Sequence, residues 1–378
     1  LIIALCTIAI GLLGGSTGAL VGLLSAAGDG LSLVTVSASF LILGTILGLI
    51  LAWHALQAIQ GRPSAPFRPR AVLVLLPVFL AIVGLGQITL AWDLAPMVLF
   101  PIFHVAATVL PSIIILGLVG KGLRGAVTWR ELVFQTSSGA LLSTVLAFVL
   151  EAILLFALAA ATLAGVLIRP GGTDLVLRLA MSLEEPTWAQ DPAVFYSAFT
   201  SPAVVFGGLV VLAVAIPMIE EGIKTVGIGL LAYRRPGLAQ ALLWGLASAC
   251  GFALVEATLN TASGLQAWAP LILLRSGATL MHCFTGALMG IAWHGILSKR
   301  HWARGLALYA LSVSVHALWN GSAAWMGLAS LKTLGSDGPR SALAMLGASV
   351  ALSLLVLLAL AAGLGLVALT RHVLGRNH

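Results

Sequence analysis

The chain has 378 residues, of which 60% are hydrophobic and only 8% charged, against roughly 25% charged in an ordinary soluble domain. With a mean hydropathy of +1.11, so little polar surface excludes a soluble globule, a disordered chain and a disulfide scaffold, and lipid must be the solvent. The net charge of +7, from 19 basic and 12 acidic residues, is read first as membrane topology, and no nucleic-acid partner is expected. Cys6, Cys250 and Cys283 lie in apolar runs without the spacing of a disulfide framework or a zinc ribbon. The sequence opens on Leu1, so it gives no reading of a signal peptide.

A helix crossing ~30 Å of hydrocarbon needs about 20 mostly apolar residues. Ten runs meet that need: 2–25, 31–52, 71–90, 95–118, 133–165, 199–233, 238–261, 270–297, 304–328 and 342–369. No segment alternates as a transmembrane strand would. The expected fold class is all-α, a polytopic transmembrane helical bundle of about ten spans. The connections at 53–70, 119–131, 234–238 and 298–304 and the tail after 369 hold thirteen Lys and Arg residues, while the opposite set holds four: Arg169, Arg178, Lys332 and Arg340. That asymmetry puts both termini in the cytoplasm. The expected organisation is five accessory spans in 1–165, an extracytoplasmic loop at 166–198, a four-helix core at 199–328, and a last span with a basic tail at 329–378. The acidic 166–198 connection reads as an amphipathic segment packed over the bundle, with a substrate-capturing flap as the lesser alternative. Internal repeats of the kind secondary transporters carry are not evident.

An ionisable side chain deep in a bilayer costs at least ~2.5–3.5 kcal/mol, so each one needs a reason. The first five spans contain Glu151 and His104, with His54 near an end. Spans six to nine contain Glu220, Glu221, Lys224, Glu256, Arg275, His282 and His316, with His294 near the end of the eighth. At ~1.5 Å per residue, Glu220, His316 and His282 lie ~18–25 Å from the basic ends of their helices, and Glu256 ~30 Å. Four antiparallel helices therefore carry these groups in one layer. Helical phase adds Lys224 within reach of either Glu220 or Glu221, and stripes Phe252/Glu256/Asn260 and His316/Asn320. Such stripes face a partner or a wet cavity rather than lipid. Pro217, just before the acidic pair, is expected to kink the sixth helix.

These residues resemble the PrsW family of intramembrane proteases, distant relatives of the type II CAAX prenyl endopeptidases. The resemblance rests on Glu220-Glu221-Gly222-Ile223-Lys224 (EExxK), on Phe252 through Glu256 (FxxxE), on Arg275 through His282, and on His316 through Asn320. Ala257 departs from the Asn often found after the second motif. The resemblance covers about 200–325 and implies hydrolysis of a peptide bond in a membrane-anchored substrate, an anti-sigma factor in the best-known relatives. It also implies a multi-pass protein of the bacterial plasma membrane.

Peptide hydrolysis needs an activated water, a stabilised oxyanion and a proton for the leaving amine. Glu220 is expected as general base, with Glu221 the alternative, and Glu256 as the second carboxylate holding the water. His282 and His316 either polarise the carbonyl or ligate a metal. Asn320 is expected to orient His316 or donate to the oxyanion, with Lys224, Arg275 and Phe252 in support. His282, His316 and Glu256 could hold a catalytic zinc, although no HExxH fixes such a site, and a metal-free, glutamate-activated water stays open beside it. Serine, aspartyl and HExxH zinc mechanisms are disfavoured, because GxSG, GxGD and HExxH are all missing.

The other polar residues have plainer readings. His104 is expected as a packing histidine, Glu151 as a local hydrogen-bond or ion-pair partner, and Asn260 as a cap. His54, His294 and His301 sit at interfaces, where snorkelling explains them. Gly222, Gly227, Gly229, Gly286 and Gly290 are expected to permit close helix contact. Two other functions compete with proteolysis, an ion- or proton-coupled transporter and a non-catalytic scaffold such as the APH subunit of gamma-secretase.

Overall fold

A computed structural model describes residues 1–24, 30–168, 202–262, 264–334 and 339–375, with the isolated positions 171, 173, 174 and 177. Most of the acidic 166–198 connection lies outside the described residues, as does Arg376. Among the described residues all ten expected runs are helical, and the one extended pairing is a bridge between Pro66 and Thr128. The helices are α1 (Ile2–Leu24), α2 (Gly30–Ile59), α3 (Leu75–Ala91), α4 (Pro96–Gly122), α5 (Trp129–Ser137), α6 (Thr144–Leu167), α7 (Pro202–Val210), α8 (Ile216–Ile223), α9 (Val226–Leu230), α10 (Leu238–Ala262), α11 (Trp268–Lys299), α12 (Trp302–Leu334) and α13 (Pro339–Gly375). A π-turn over Ser138–Ser143 joins α5 to α6, and another over Val211–Ala215 joins α7 to α8. Among the described residues nine helical spans are long and apolar enough to cross a membrane. The tenth, α12, falls below that hydropathy because it carries His316 and Asn320. The protein is a polytopic helical membrane protein.

The fifth span begins earlier than its apolar pattern predicts, because Thr128 caps it. The Thr128 side chain accepts from the Glu131 amide, and the Glu131 carboxylate accepts from the Thr128 amide, a reciprocal box that satisfies two orphan donors. The sixth span is broken on both sides of its acidic pair. Pro217 has no amide to give, and the π-turn sits immediately before it. A turn at Lys224 and Thr225 then separates α8 from α9. The first break was expected; the second was not, since Gly222 is the one weak helix former between Glu221 and Gly227 and it lies inside α8, two residues before the turn.

The chain forms two compact units. One comprises Leu1–Thr144, Glu221–Ser312 and Ala359–His378; the other comprises Val145–Glu220 and Val313–Leu358. In the first unit the core is α10 and α11, whose apolar windows are 72% and 61% buried. Lipid offers no hydrophobic drive between helices, so small residues that let backbones approach supply the packing. A Cβ on Gly245 would lie 2.1 Å from the Gly286 carbonyl oxygen, and one on Gly290 2.2 Å from that of Ala241. The π-turn after α5 is seated as closely, since a Cβ on Gly139 would lie 1.8 Å from the Ser248 carbonyl oxygen. Gly227 is equally crowded, but Gly222 and Gly229 meet nothing nearer than 3.5 Å, so close contact does not explain those two.

His104 ties α4 to this core. The Trp268 indole donates to its Nδ1 at 3.0 Å, and its Nε2 lies 3.1 Å from the Thr258 carbonyl. Indole nitrogen can only donate, so Nδ1 accepts and Nε2 carries the proton. The residue is a satisfied packing histidine, as expected.

Gly290→Val should destabilise the protein by about 1–3 kcal/mol through overpacking, while Gly84→Ala, whose Cβ would meet nothing within 4 Å, should leave stability nearly unchanged. Thermal unfolding of the detergent-purified variants checks this; equal shifts would contradict the close crossing.

Candidate active site

In the first unit the site is organised by Lys224, whose side chain is 0% exposed. The turn that follows α8 frees its carbonyl, and two serines take it up: Ser248 Oγ from α10 at 2.5 Å and Ser143 Oγ from the π-turn at 3.2 Å. The ammonium donates to Glu221 Oε1 at 2.5 Å, to His282 Nδ1 at 2.7 Å and to Thr285 Oγ1 at 3.4 Å, and lies 5.5 Å from the centroid of the Phe252 ring. Thr285 donates in turn to Glu221 Oε1 at 3.2 Å. Glu221, Lys224, His282 and Thr285 are all buried.

His282 passes the contact on. Its Nε2 lies 2.8 Å from Glu256 Oε2, and Glu256 Oε1 meets Arg275 Nη2 at 2.7 Å and the Asn260 amide at 3.3 Å. Because an ammonium has no acceptor, His282 Nδ1 must accept from Lys224, which leaves the proton on Nε2 to be donated to Glu256. The tautomer is thus assigned by its partners. The expectations for Glu221, Lys224, Phe252, Glu256, Arg275 and His282 converge on one continuous network. Asn260 is not a helix cap; it donates to Glu256 one turn below.

In the second unit, Glu220 and His316 pair, with Glu220 Oε2 3.5 Å from His316 Nε2 and both buried. Asn320 is found elsewhere than expected. Its amide donates to the Leu212 carbonyl at 3.1 Å, inside the π-turn before Pro217. It therefore props the irregular backbone that leads into Glu220.

Three contributors escaped the sequence reading. Ser248 was findable, since it lies four residues before Phe252 and extends the Phe252/Glu256/Asn260 stripe by a turn. Thr285 lies three residues after His282 on the same face. Ser143 carries no such signal, because only the π-turn aims it at Lys224. The structure also brings Cys250 and Cys283 to 3.3 Å between sulfurs, with both thiols free.

A metal tests these donors differently. Ligands of a tetrahedral zinc at ~2.0–2.1 Å stand about 3.4 Å apart, and the 3.5 Å between Glu220 and His316 fits two adjacent positions without rearrangement. The 2.8 Å between His282 and Glu256 is a hydrogen bond through the Nε2 proton. That imidazole offers a lone pair only after the proton is lost, which metal binding can drive.

A family model described as PrsW family intramembrane metalloprotease matches residues 127–360, well over half of the chain. The chain belongs to the PrsW family. It is accordingly a peptide hydrolase of the membrane, working in lipid on a membrane substrate. The match begins ahead of the fifth span, which the motifs alone left outside, and so takes in the π-turn that supplies Ser143. No curated protein and no solved structure matches the chain.

Lys224→Met should destabilise this PrsW-family protein by about 3–5 kcal/mol, the cost of removing one partner of a buried ion pair. Lys224→Met combined with Glu221→Gln should recover part of that loss. Thermal unfolding of wild type, both singles and the double checks it; an additive double variant would show that the pair is not coupled.

Proposed function

We propose that Glu220 is the general base that activates water for cleavage of a peptide bond in a membrane-anchored protein. The observation that supports it most is the division of the two adjacent carboxylates: Glu221 takes the Lys224 ammonium at 2.5 Å, while Glu220 is turned to the His316 imidazole. A carboxylate locked against a buried cation is a poor proton acceptor, and one beside an imidazole is a good one. Glu220 takes a proton from water as the hydroxide adds to the carbonyl carbon. It returns that proton to the amine as the carbon–nitrogen bond breaks. His316 orients Glu220, and Glu256 is the second carboxylate holding the water. His282, held between Lys224 and Glu256, donates its N–H to Glu256 and so keeps that carboxylate oriented.

A divalent metal, when bound, would polarise the scissile carbonyl and acidify the attacking water. In that case Glu220 and His316 would hold it, with Glu220 acting as a ligand in place of its role as base. Zinc is the metal this donor chemistry suits.

The catalytic core is taken as 199–328, with 1–165, 166–198 and 329–378 outside it in sequence. The thirteen-to-four distribution of basic residues supports cytoplasmic termini, and the family resemblance supports the bacterial plasma membrane and an anti-sigma-factor-like substrate.

Glu220→Gln should lower cleavage of a single-span reporter in proteoliposomes by about 10²–10⁴-fold, the range of a lost general base, whereas Glu221→Gln should act mainly on stability. The reading fails if Glu220→Gln cleaves as wild type does. Elemental analysis should find any bound zinc lost in His316→Ala; zinc retained there would remove His316 from the ligands.

A further inference from the structure

At the opposite, basic end of the first unit lies a second polar site that the hydrolytic residues do not use. It is a cavity of about 290 Å³ lined by Ser64, Thr128, Arg130, Glu131, Phe134, Leu231 and Arg234, at the lower end of small-molecule pockets. We propose that it binds the phosphate of an anionic phospholipid.

Three connections build it. The 60–71 segment is fastened to the start of the fifth span by Phe67 N–H to the Val127 carbonyl at 2.8 Å, by Gly125 N–H to the Phe67 carbonyl at 3.1 Å, and by Trp129 N–H to the Ala65 carbonyl at 3.1 Å. Arg130 reaches back to the Arg62 carbonyl at 2.8 Å, and its own amide takes Ser64 Oγ at 3.1 Å. The third wall is the end of the sixth span, where Arg234 meets Glu131 at 3.5 Å. All three belong to the set of connections rich in Lys and Arg, the side that faces anionic lipid.

Two observations point to a phosphate. Arg130 lines the cavity, and its buried Nε has no hydrogen-bond partner among the described residues, so the guanidinium has donor capacity that the protein leaves unspent. The acidic wall is already engaged: Glu131 accepts from the Thr128 amide and hydroxyl and from the Gln240 amide, besides Arg234. Its charge and that of Arg234 largely answer each other, which leaves the Arg130 guanidinium as the excess positive charge at the cavity.

The remaining lining says why the phosphate carries chains. Phe134 lies one turn inward from Arg130 on the fifth span, ~6 Å deeper, and Leu231 lies inward of Arg234 on the sixth. Both walls place a guanidinium at headgroup level above an apolar side chain at hydrocarbon level. That order matches a phospholipid and gives a free phosphate nothing for the apolar half.

The test is native mass spectrometry of the full-length protein in detergent, titrated with phosphatidylglycerol or with phosphatidylcholine of equal chain length. Wild type should prefer phosphatidylglycerol, and Arg234→Gln should lose about fivefold of that preference, as expected for one basic residue at an anionic surface. Arg234 is 48% exposed, so this variant keeps the fold even if Arg130→Gln does not. The proposal is overturned if Arg234→Gln retains the full preference. It is overturned as well if inorganic phosphate or glycerol phosphate displaces the lipid at equal concentration, which would make the site one for a soluble anion.

Discussion

An ammonium group can be carried into the middle of a bilayer protein only if its charge is answered on the spot. Lys224 is answered by Glu221, by the His282 ring and by the Thr285 hydroxyl. The energetic demand is strict, since a buried charge that loses its partner costs several kcal/mol. Much of the first unit can be read as the means of meeting it. The helix must break at Lys224 to free its carbonyl, Ser143 and Ser248 must be present to receive that carbonyl, and α10 and α11 must cross closely enough for His282 to reach across. The glycines at that crossing and the π-turn that carries Ser143 are therefore conditions of the site and not ornaments of the packing.

The Lys224 anchor also sorts the chemistry. Two neighbouring carboxylates would otherwise compete for the same role. By committing Glu221 to the cation, the fold separates it from Glu220, which is paired with His316 instead. On the other side, the same cation fixes the His282 tautomer and, through it, the proton that faces Glu256. A charge buried for structural reasons thus sets the protonation pattern of groups two contacts away.

The irregular backbone is concentrated around these groups. A π-turn precedes Glu220, with the Leu212 carbonyl taken by Asn320, and a second π-turn carries Ser143. Departures from helical geometry within a membrane survive only where side chains satisfy the freed groups. Here Asn320, Ser143 and Ser248 do so, and each belongs to a span adjoining or bearing a proposed catalytic residue.

The sequence by itself determined the solvent, the helical class, the ten runs and the small set of residues that could carry chemistry. It could do so because hydrocarbon thickness and the 3.6-residue period are properties of one helix at a time, and because an ionisable residue in lipid is conspicuous alone. Phase along a single helix also sufficed to put Phe252, Glu256 and Asn260 on one face. Partner choice was another matter. That Lys224 takes Glu221 over Glu220, that Arg275 pairs with Glu256 on the neighbouring helix, that Asn320 holds a backbone carbonyl, and that Trp268 fixes His104 were decided by how helices are rotated and crossed against each other. Those rotations follow from where backbones can touch, at Gly139, Gly245 and Gly290, and such contacts have no signature within any one span.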